Sequence, residues 1–373
     1  MLECQSCPYK TFDKFYKYYG AADYGDQWIM AAFDGTNTSF KNGNNDFSAV
    51  ASEYRAEAVE KGTVLMNVWM FVIRSMEDAV DKCLKGDKGG DAHAWDEAVA
   101  FFTGSLEGSG GTGGGKLVYS LINNRCVDFK TCGTDGNEST GHAFLNHLLR
   151  KEFKKGQEHL KTGKCEEARK DKERIESLLA VPLVQGALRS AYILGTSENV
   201  DHKSKVAGAT FAAAILPIVH HCKPSAAEAI YNALHIGASS TVFSTVKTAF
   251  EENYACMGIT CDVVGGYYDD ANSVYYEGAG PCTHTATTPT MNSGSQSVSN
   301  DTSSSSESGA NAVGIAFGVT IAVIVVILGA MFYAHKHRKT VEIPPKVNPM
   351  FVSPPPPEHP EHEEVDLHHV HIS

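Results

Sequence analysis

One apolar run near the carboxyl end divides this chain into two unequal parts. Residues 311–334 (NAVGIAFGVTIAVIVVILGAMFYA) carry no ionisable side chain, and about 20 apolar residues suffice to cross the hydrocarbon core of a bilayer. A basic segment, 335–339 (HKHRK), follows the run, whereas no Lys or Arg precedes it from residue 283 onward. The positive-inside rule therefore predicts a single transmembrane helix, with the preceding part outside the plasma membrane and the tail in the cytosol.

The ten cysteines of the chain all precede this run. An even number of cysteines on one side of a membrane predicts structural disulfides in an oxidising compartment. Two close pairs, Cys4 with Cys7 and Cys256 with Cys261, would suit zinc or redox chemistry in a cytosolic protein, but the predicted location favours disulfides. Spacing alone does not define the connectivity, which stays open at this point.

Three acceptor triplets for N-glycosylation, beginning at Asn37, Asn137 and Asn300, lie on the same side of the apolar run as the cysteines. Residues 1–4 (MLEC) contain neither the basic nor the apolar region of a signal peptide. Because disulfides and glycans require export, we expect the native protein to carry a leader ahead of this sequence.

Composition separates four regions along the chain. Residues 283–310 are rich in Ser and Thr and have almost nothing to bury, which predicts an extended stalk. Residues 335–373 contain a proline run among many His and Glu residues and are expected to form a disordered cytoplasmic tail. The folded ectodomain is then residues 1–282.

The formal net charge of −12 disfavours nucleic acid as a partner and favours cations, although a need for solubility alone explains this charge as well.

Helical periodicity dominates the predicted ectodomain. Residues 59–80 are too many for a strand and are apolar nearly all round, as expected for a buried helix. Because few segments alternate with a period of two, the predicted fold class is all-α. A long buried helix followed by an Ala- and Phe-rich helix occurs in each half, which predicts two pseudo-repeated helical halves. The further predicted helices are 92–106, 139–160, 166–194, 205–221 and 226–250.

Candidate metal ligands lie on the predicted helix 92–106. His93, Asp96 and Glu97 are spaced i, i+3 and i+4, so they share one helical face and could converge on one ion. Imidazole with carboxylate suits iron or zinc, and the absence of thiolate favours the harder metals. Alternatively, these residues mark the beginning of a helix, with Asp91 as the N-cap and the carboxylates favoured by the helix dipole.

Glu57 and Glu60 are candidate ligands from a neighbouring helix, since helical metal sites are built from inward carboxylates on facing helices. The alternative is that they form ordinary ion pairs with Arg55 and Lys61. For Glu77, which could in principle join them, an ordinary surface pair with Arg74 is expected.

Arg189 and Tyr192 lie one turn apart on an otherwise apolar helix, 181–194 (VPLVQGALRSAYIL). A guanidinium there is a natural partner for a small oxyanion or for a carboxylate. No nucleophile or metalloprotease motif occurs, and the glycine run 108–116 lacks the Ser or Thr that a phosphate-binding loop requires. The chain is therefore expected not to be an enzyme.

Two short patterns concern the membrane-anchored part. Asn348, Pro349 and Phe351 resemble the Asn-Pro-x-aromatic signals that endocytic adaptors bind. Gly314 and Gly318 form a Gly-x-x-x-Gly step that would let two transmembrane helices pair as a homodimer. Each pattern also arises by chance in segments of this composition.

Several segments in order resemble the low-iron-inducible periplasmic proteins of algae, an iron-starvation-induced family whose membrane-anchored members are the phytotransferrins. The segments are YYGAADYGDQWIMAAFDG, FSAVASEYRAEAVEKGTVLMNVWMFVIRSMEDAV, DAHAWDEAVAFFTGSLEG, NNRCVDFKTCG and VPLVQGALRSAYILG.

This resemblance implies a surface receptor that binds ferric iron with carbonate as a synergistic anion. Endocytosis into endosomal vesicles and release of the iron on acidification would follow. A receptor whose helices bind a protein without metal, for adhesion or signalling, is the alternative function. It predicts ligand binding that is unchanged by chelators.

Overall fold

The computed structural model of the chain describes residues 9–104, 115–197 and 202–282. These residues form thirteen α-helices, one π-helical segment and one short β-hairpin. The mostly helical, disulfide-linked fold predicted from periodicity is therefore confirmed, with the hairpin as an addition. The predicted stalk, transmembrane helix 311–334 and tail lie outside the described residues.

The elements from the amino end are α1 (Lys10–Tyr19), α2 (Tyr24–Asp34), α3 (Ser52–Gly62), a π-helical segment (Thr63–Val68), α4 (Trp69–Leu84), α5 (Lys88–Thr103), α6 (Val118–Phe129) and α7 (Phe144–Lys161). They are followed by α8 (Cys165–Thr196), α9 (His202–Cys222), α10 (Pro224–Leu234), α11 (Phe243–Glu251), α12 (Tyr254–Met257) and α13 (Cys261–Val264). The hairpin pairs β1 (Tyr268–Asp269) with β2 (Val274–Tyr275) in antiparallel register.

The predicted buried helix 59–80 is part of a longer helical stretch. Helix α3, the π-helical segment and α4 follow one another with right-handed helical backbone at both junctions. Met66, Trp69 and Ile73 within it are fully buried. At the first junction a Cβ on Gly62 would lie 3.2 Å from the ring of Trp28, so glycine allows α2 to pack closely there. π-Helical turns of this kind frequently occur at functional sites.

Four of the other predicted helices are confirmed, with shifted ends, as α5, α7, α8 and α9. The prediction of one helix at 226–250 is wrong, because the chain leaves the helix after Leu234. The hydroxyl of Thr241 donates to the carbonyl of Ala233 at 2.7 Å, and Gly237 adopts a φ of +94° that favours glycine. Helices α1, α2, α6, α12 and α13 have no counterpart among the predictions.

Two helices contain internal prolines, and side chains from other helices donate to backbone carbonyls near each of them. Pro217 in α9 cannot donate to the carbonyl of Ala213, four residues earlier. The hydroxyl of Tyr19 on α1 donates to that carbonyl instead, at 2.6 Å. Near Pro182 in α8, the indole of Trp69 donates to the carbonyl of Leu179 at 3.0 Å. These bonds fix α1 and α4 against the proline turns of the core.

Helix α8 is the centre of the packing, since it contacts α4, α6, α7 and α9. Every side chain from 178 to 188 is buried, as expected of a helix covered on all sides. The helix pairs named in the pseudo-repeat hypothesis, α4 with α5 and α8 with α9, do pack against each other. Equivalence of the two halves remains a prediction.

A buried ion-pair network joins α4 to α8. The Lys172 ammonium lies 3.4 Å from Glu77 and 3.3 Å from Glu176. Glu77 is only 2% exposed, so its expected surface pair with Arg74 is wrong. The position of Glu77 around the axis of α4 explains this, because Glu77 lies on the face of α4 that packs against α8 and therefore contacts Lys172.

Four disulfides occur among the described residues: Cys83–Cys165, Cys126–Cys132, Cys222–Cys256 and Cys261–Cys282. The prediction of structural disulfides is confirmed for these eight cysteines. The close pair Cys256 and Cys261 does not join to itself, and each member instead bonds a more distant cysteine. Cys4 and Cys7 lie outside the described residues.

Within the described part of the chain, α8 and α9 are long and apolar enough to cross a membrane. However, 72% of the apolar window of each helix is buried inside the fold. The core helices of a soluble domain have the same length and composition, so these two helices are weak evidence of membrane association.

Candidate functional site

A cavity of about 570 Å³ lies among α3, α6, α8 and α9. Its walls contain side chains that are far apart in the sequence, including Glu57, Lys61, Arg125, Arg189 and Lys203. Ligand pockets of proteins commonly enclose about 300–1,000 Å³. We refer to this space as the cationic cavity, because positively charged side chains outnumber carboxylates in its walls.

Local helical geometry places three charged residues of α3 on one wall. Glu57, Glu60 and Lys61 are spaced i, i+3 and i+4 and therefore share a face. The π-helical segment continues that face with Val64 and Leu65, which are 8% and 2% exposed. The charged wall thus ends in an apolar one.

The opposite wall depends on close approach of α8 and α9. Gly186 on α8 lies against the ring of Phe211, and a Cβ there would come within 2.3 Å of that ring. This approach brings Arg189 and Ile193 of α8 beside Lys203 of α9 along the cavity. A larger residue at 186 would force the two helices apart.

Each carboxylate in or beside the cavity has at least one cationic partner. Glu57 bonds the Lys61 ammonium and also lies 3.8 Å from Lys203. Glu60 lies 3.0 Å from Lys116, in an exposed pair. The alternative expected from sequence, an ion pair of Glu57 with Lys61, is therefore present, and its side chains are only 19% and 30% exposed. The exposed pair of Glu60 with Lys116 contributes little stability.

Asp128 on α6 lies between two arginines that line the cavity. Its Oδ2 atom is 2.9 Å from Arg125 Nη2 and 3.3 Å from Arg189 Nε. The Nε atoms of both arginines are buried without a hydrogen-bond partner in the described structure, so the contact to Arg189 is an ion pair without good hydrogen-bond alignment. Arg189 is expected from the sequence to pair with a carboxylate or an oxyanion. In the structure it pairs with the carboxylate of Asp128.

Burial and mutual repulsion act on the cations of this cavity. Burial, and after it the neighbouring cations Lys203, Arg125, Lys116 and Arg189, together lower the pKa of Lys61 to about 8. Burial also lowers the pKa of Arg125, against the attraction of Asp128. A guanidinium stays charged at physiological pH even when its pKa falls.

Five cationic groups face three carboxylates here, namely Glu57, Glu60 and Asp128, which leaves two positive charges in excess. A cavity wall of this charge attracts anions and repels free metal cations. The cavity therefore favours an anion carrying about two negative charges.

Three predicted site residues, Glu57, Glu60 and Arg189, line the cationic cavity. Tyr192, predicted as the partner of Arg189, packs instead among aromatic rings, with Phe243, Tyr267 and Tyr276 at centroid distances of 5.1–5.4 Å. Arg189 lies over the same Tyr267 ring, with its Cζ atom 6.0 Å from the ring centroid. Of the two predicted anion-binding residues, Arg189 lines the cavity and Tyr192 does not.

His93, Asp96 and Glu97 do occupy one side of α5, but His93 and Asp96 are exposed. Asp96 accepts a hydrogen bond from Gln157 at 2.9 Å. Among the described residues, no group of three or more His, Cys, Asp or Glu side chains could hold a metal ion. The expected convergence of these three residues with Glu57 and Glu60 is therefore not observed.

The N-cap of α5 is Asp87, which accepts a hydrogen bond from the backbone amide of Gly90, and not Asp91.

The acceptor asparagines Asn37 and Asn137 are both exposed, as glycosylation requires. Asn300 and the residues of the endocytic pattern, Asn348, Pro349 and Phe351, lie outside the described part of the chain.

Sequence reasoning missed Lys116, Arg125, Asp128 and Lys203 as site residues. The spacing of Arg125 and Asp128, three residues apart on α6, indicates a local ion pair. It gives no indication that α8 brings Arg189 to the same carboxylate. The cavity depends on which helices pack together, and periodicity does not contain that information.

No family model, curated protein or solved structure matches this chain. The resemblance to the algal iron-starvation family therefore stays a prediction, and the proposed function rests on the residues of this chain.

Proposed function

We propose that this chain is a non-enzymatic cell-surface receptor that binds ferric iron together with carbonate in the cationic cavity. The observation that supports this most is that Glu57 and Glu60, chosen as metal ligands, line the same cavity as Arg189, chosen as an anion partner. The glutamates lie on α3 and the arginine on α8, 129 residues further along the chain than Glu60.

The charges of the cavity suggest an order of binding. Two excess positive charges oppose a trivalent cation, so the anion binds first and removes that repulsion. Carboxylate and carbonate oxygens are hard donors that suit Fe³⁺. Glu57 and Glu60 would then complete the coordination, while Arg125 and Arg189 hold the anion through charge-assisted hydrogen bonds.

Release follows from acid chemistry in this scheme. Metal ligation requires carboxylates and carbonate in their basic forms, so protonation of either weakens the complex. The predicted transmembrane helix and tail would carry the loaded receptor into endosomes, where the pH falls. Both belong to the proposal and rest on the sequence of residues 311–373.

The first prediction concerns iron binding by the full chain, purified in detergent and titrated with Fe³⁺ with and without bicarbonate. We expect bicarbonate to tighten iron binding by about tenfold or more, since each tenfold change is only ~1.4 kcal/mol. The double substitution Glu57→Gln and Glu60→Gln should abolish that gain, because it removes both charged ligands. The matched control is Glu166→Gln with Glu167→Gln, which changes two carboxylates at the first turn of α8.

A second arm separates the two candidate sets of metal ligands. The triple substitution His93→Ala, Asp96→Asn and Glu97→Gln should leave bicarbonate-dependent binding unchanged, because these residues do not line the cavity. The proposal is contradicted if bicarbonate does not change the affinity for iron. It is also contradicted if the triple variant loses iron binding while the double variant keeps it.

A further inference from the structure

The cationic cavity is larger than carbonate requires. A water molecule occupies about 30 Å³ of liquid, so an anion of four heavy atoms would fill a small part of about 570 Å³. The remaining space would hold water against a wall that is partly apolar. Size alone therefore favours a larger occupant.

The walls of the cavity are divided by chemistry. Lys61, Arg125, Arg189 and Lys203 supply the charged part. Val64, Leu65, Leu121, Ile193 and Phe211 supply an apolar part that continues from it. Sites for organic ligands usually combine a few charged groups with an apolar surface. The charged groups orient the ligand, and burial of its apolar area supplies affinity.

We propose that the cavity binds a small organic dianion, an oxyanion group on an apolar body, independently of iron. The charged group would lie against Arg125 and Lys203, and the body against Leu121 and Phe211. Two excess positive charges match the charge of the ligand, and carboxylates and phosphate esters share this chemistry. This inference uses the same cavity as the proposed function but does not require that function to be correct.

The experiment compares two matched pairs of probes by calorimetric titration of the iron-free full chain at constant ionic strength. One pair is sulfate and phthalate, which both carry two negative charges at neutral pH, and the other is inorganic phosphate and phenyl phosphate. In at least one pair we expect the organic member to bind about tenfold tighter or more, because burial of a ring contributes more than 1.4 kcal/mol. The pair with the larger difference identifies the oxyanion group.

Two substitutions locate the binding. Lys203→Met, at a side chain 62% exposed, should weaken the binding of every probe that binds, without a risk to folding. Leu121→Asn should reduce the advantage of the organic member and leave the affinity for its inorganic counterpart unchanged. Lys154→Met and Leu84→Asn, at exposed positions, are the matched controls.

Equal affinities within both pairs would overturn the proposal, as would binding that neither cavity substitution changes. Binding of no probe at all would overturn it as well. An organic anion that binds the cavity while Fe³⁺ fails to bind with or without bicarbonate supports this inference and contradicts only the proposed iron function.

Discussion

Lys61 is a lysine that the fold keeps partly out of water among other cations. Its ammonium bonds Glu57, yet burial and four neighbouring cations bring its pKa down to about 8. An ordinary lysine titrates near 10.5. The cavity therefore loses one positive charge as the pH rises through about 8, and an anion in the cavity would raise the pKa again.

The second prediction follows from this charge. Anion affinity should fall as pH rises through about 8, because deprotonated Lys61 no longer attracts the ligand. Lys61→Met should remove most of this pH dependence and weaken binding at pH 7 by about tenfold. Affinity measured at several pH values checks both effects.

Lys61→Met should also affect the unfolding temperature differently from the replacement of a lysine that only stabilises the fold. The folded-state pKa lies below the unfolded one, so the charged form is disfavoured by folding at neutral pH. The variant should therefore unfold at a temperature equal to or higher than the parent at pH 7. Lys151→Met, at an exposed position on α7, is the control. A variant that is less stable and binds anions normally would contradict the account.

The pairing of α4 with α8 includes a carboxyl group that is nearly removed from water. Burial raises the pKa of Glu77 to about 7, since desolvation outweighs the attraction of Lys172, and the nearby Glu176 adds to the rise. One of its oxygens has no hydrogen-bond partner in the described structure. Protonation of Glu77 therefore favours the folded form.

The third prediction is a gain of stability in mild acid. A group with a raised folded pKa contributes stability that is complete below the unfolded pKa, 4.5, and that is lost as pH rises through about 7. Between pH 8 and pH 5, we expect the parent to gain about 2 kcal/mol over Glu77→Gln. Chemical unfolding of both chains at several pH values measures this difference.

Glu167→Gln, at an exposed ion pair on α8, provides the control for that experiment and should follow the parent at every pH. If Glu77→Gln keeps the full pH dependence of the parent, then Glu77 is not the group that binds the proton.

Among the secondary-structure elements, the sequence predicted the helices whose positions depend on the local periodicity of apolar residues. Helices α5, α7, α8 and α9 have continuous apolar faces, and each was predicted with small errors at its ends. The single helix 226–250 was wrong because its break depends on Thr241 bonding a carbonyl eight residues earlier. The internal proline of α9 has a similar explanation, since Tyr19 of α1 bonds the carbonyl that Pro217 leaves without a donor.

The candidate site was predictable only in part for the same physical reason. Glu57, Glu60 and Arg189 were chosen by residue type and helical spacing, and all three line the cationic cavity. His93, Asp96 and Glu97 satisfied the same criteria, but among the residues that the structure describes they form no metal-binding group with side chains of another helix. Spacing identifies residues that share a face, whereas a site also requires a second helix opposite that face.

The whole chain combines an acidic composition with a basic cavity. Its formal net charge is −12, while the cavity walls hold two positive charges in excess. The negative surroundings raise the local concentration of cations, and the cavity attracts the anion that a trivalent metal needs beside it. Within the proposal, this division of charge lets one domain bring both ions together outside the membrane.

The location of bound iron tests this account most directly. Crystals of the full chain grown with Fe³⁺ and bicarbonate would show iron by its anomalous scattering. The account predicts an iron atom in the cationic cavity, in contact with carboxylate oxygens of Glu57 and Glu60 and with an anion between it and Arg189. Iron bound to His93, Asp96 and Glu97 on α5, with the cavity free of metal, would contradict it.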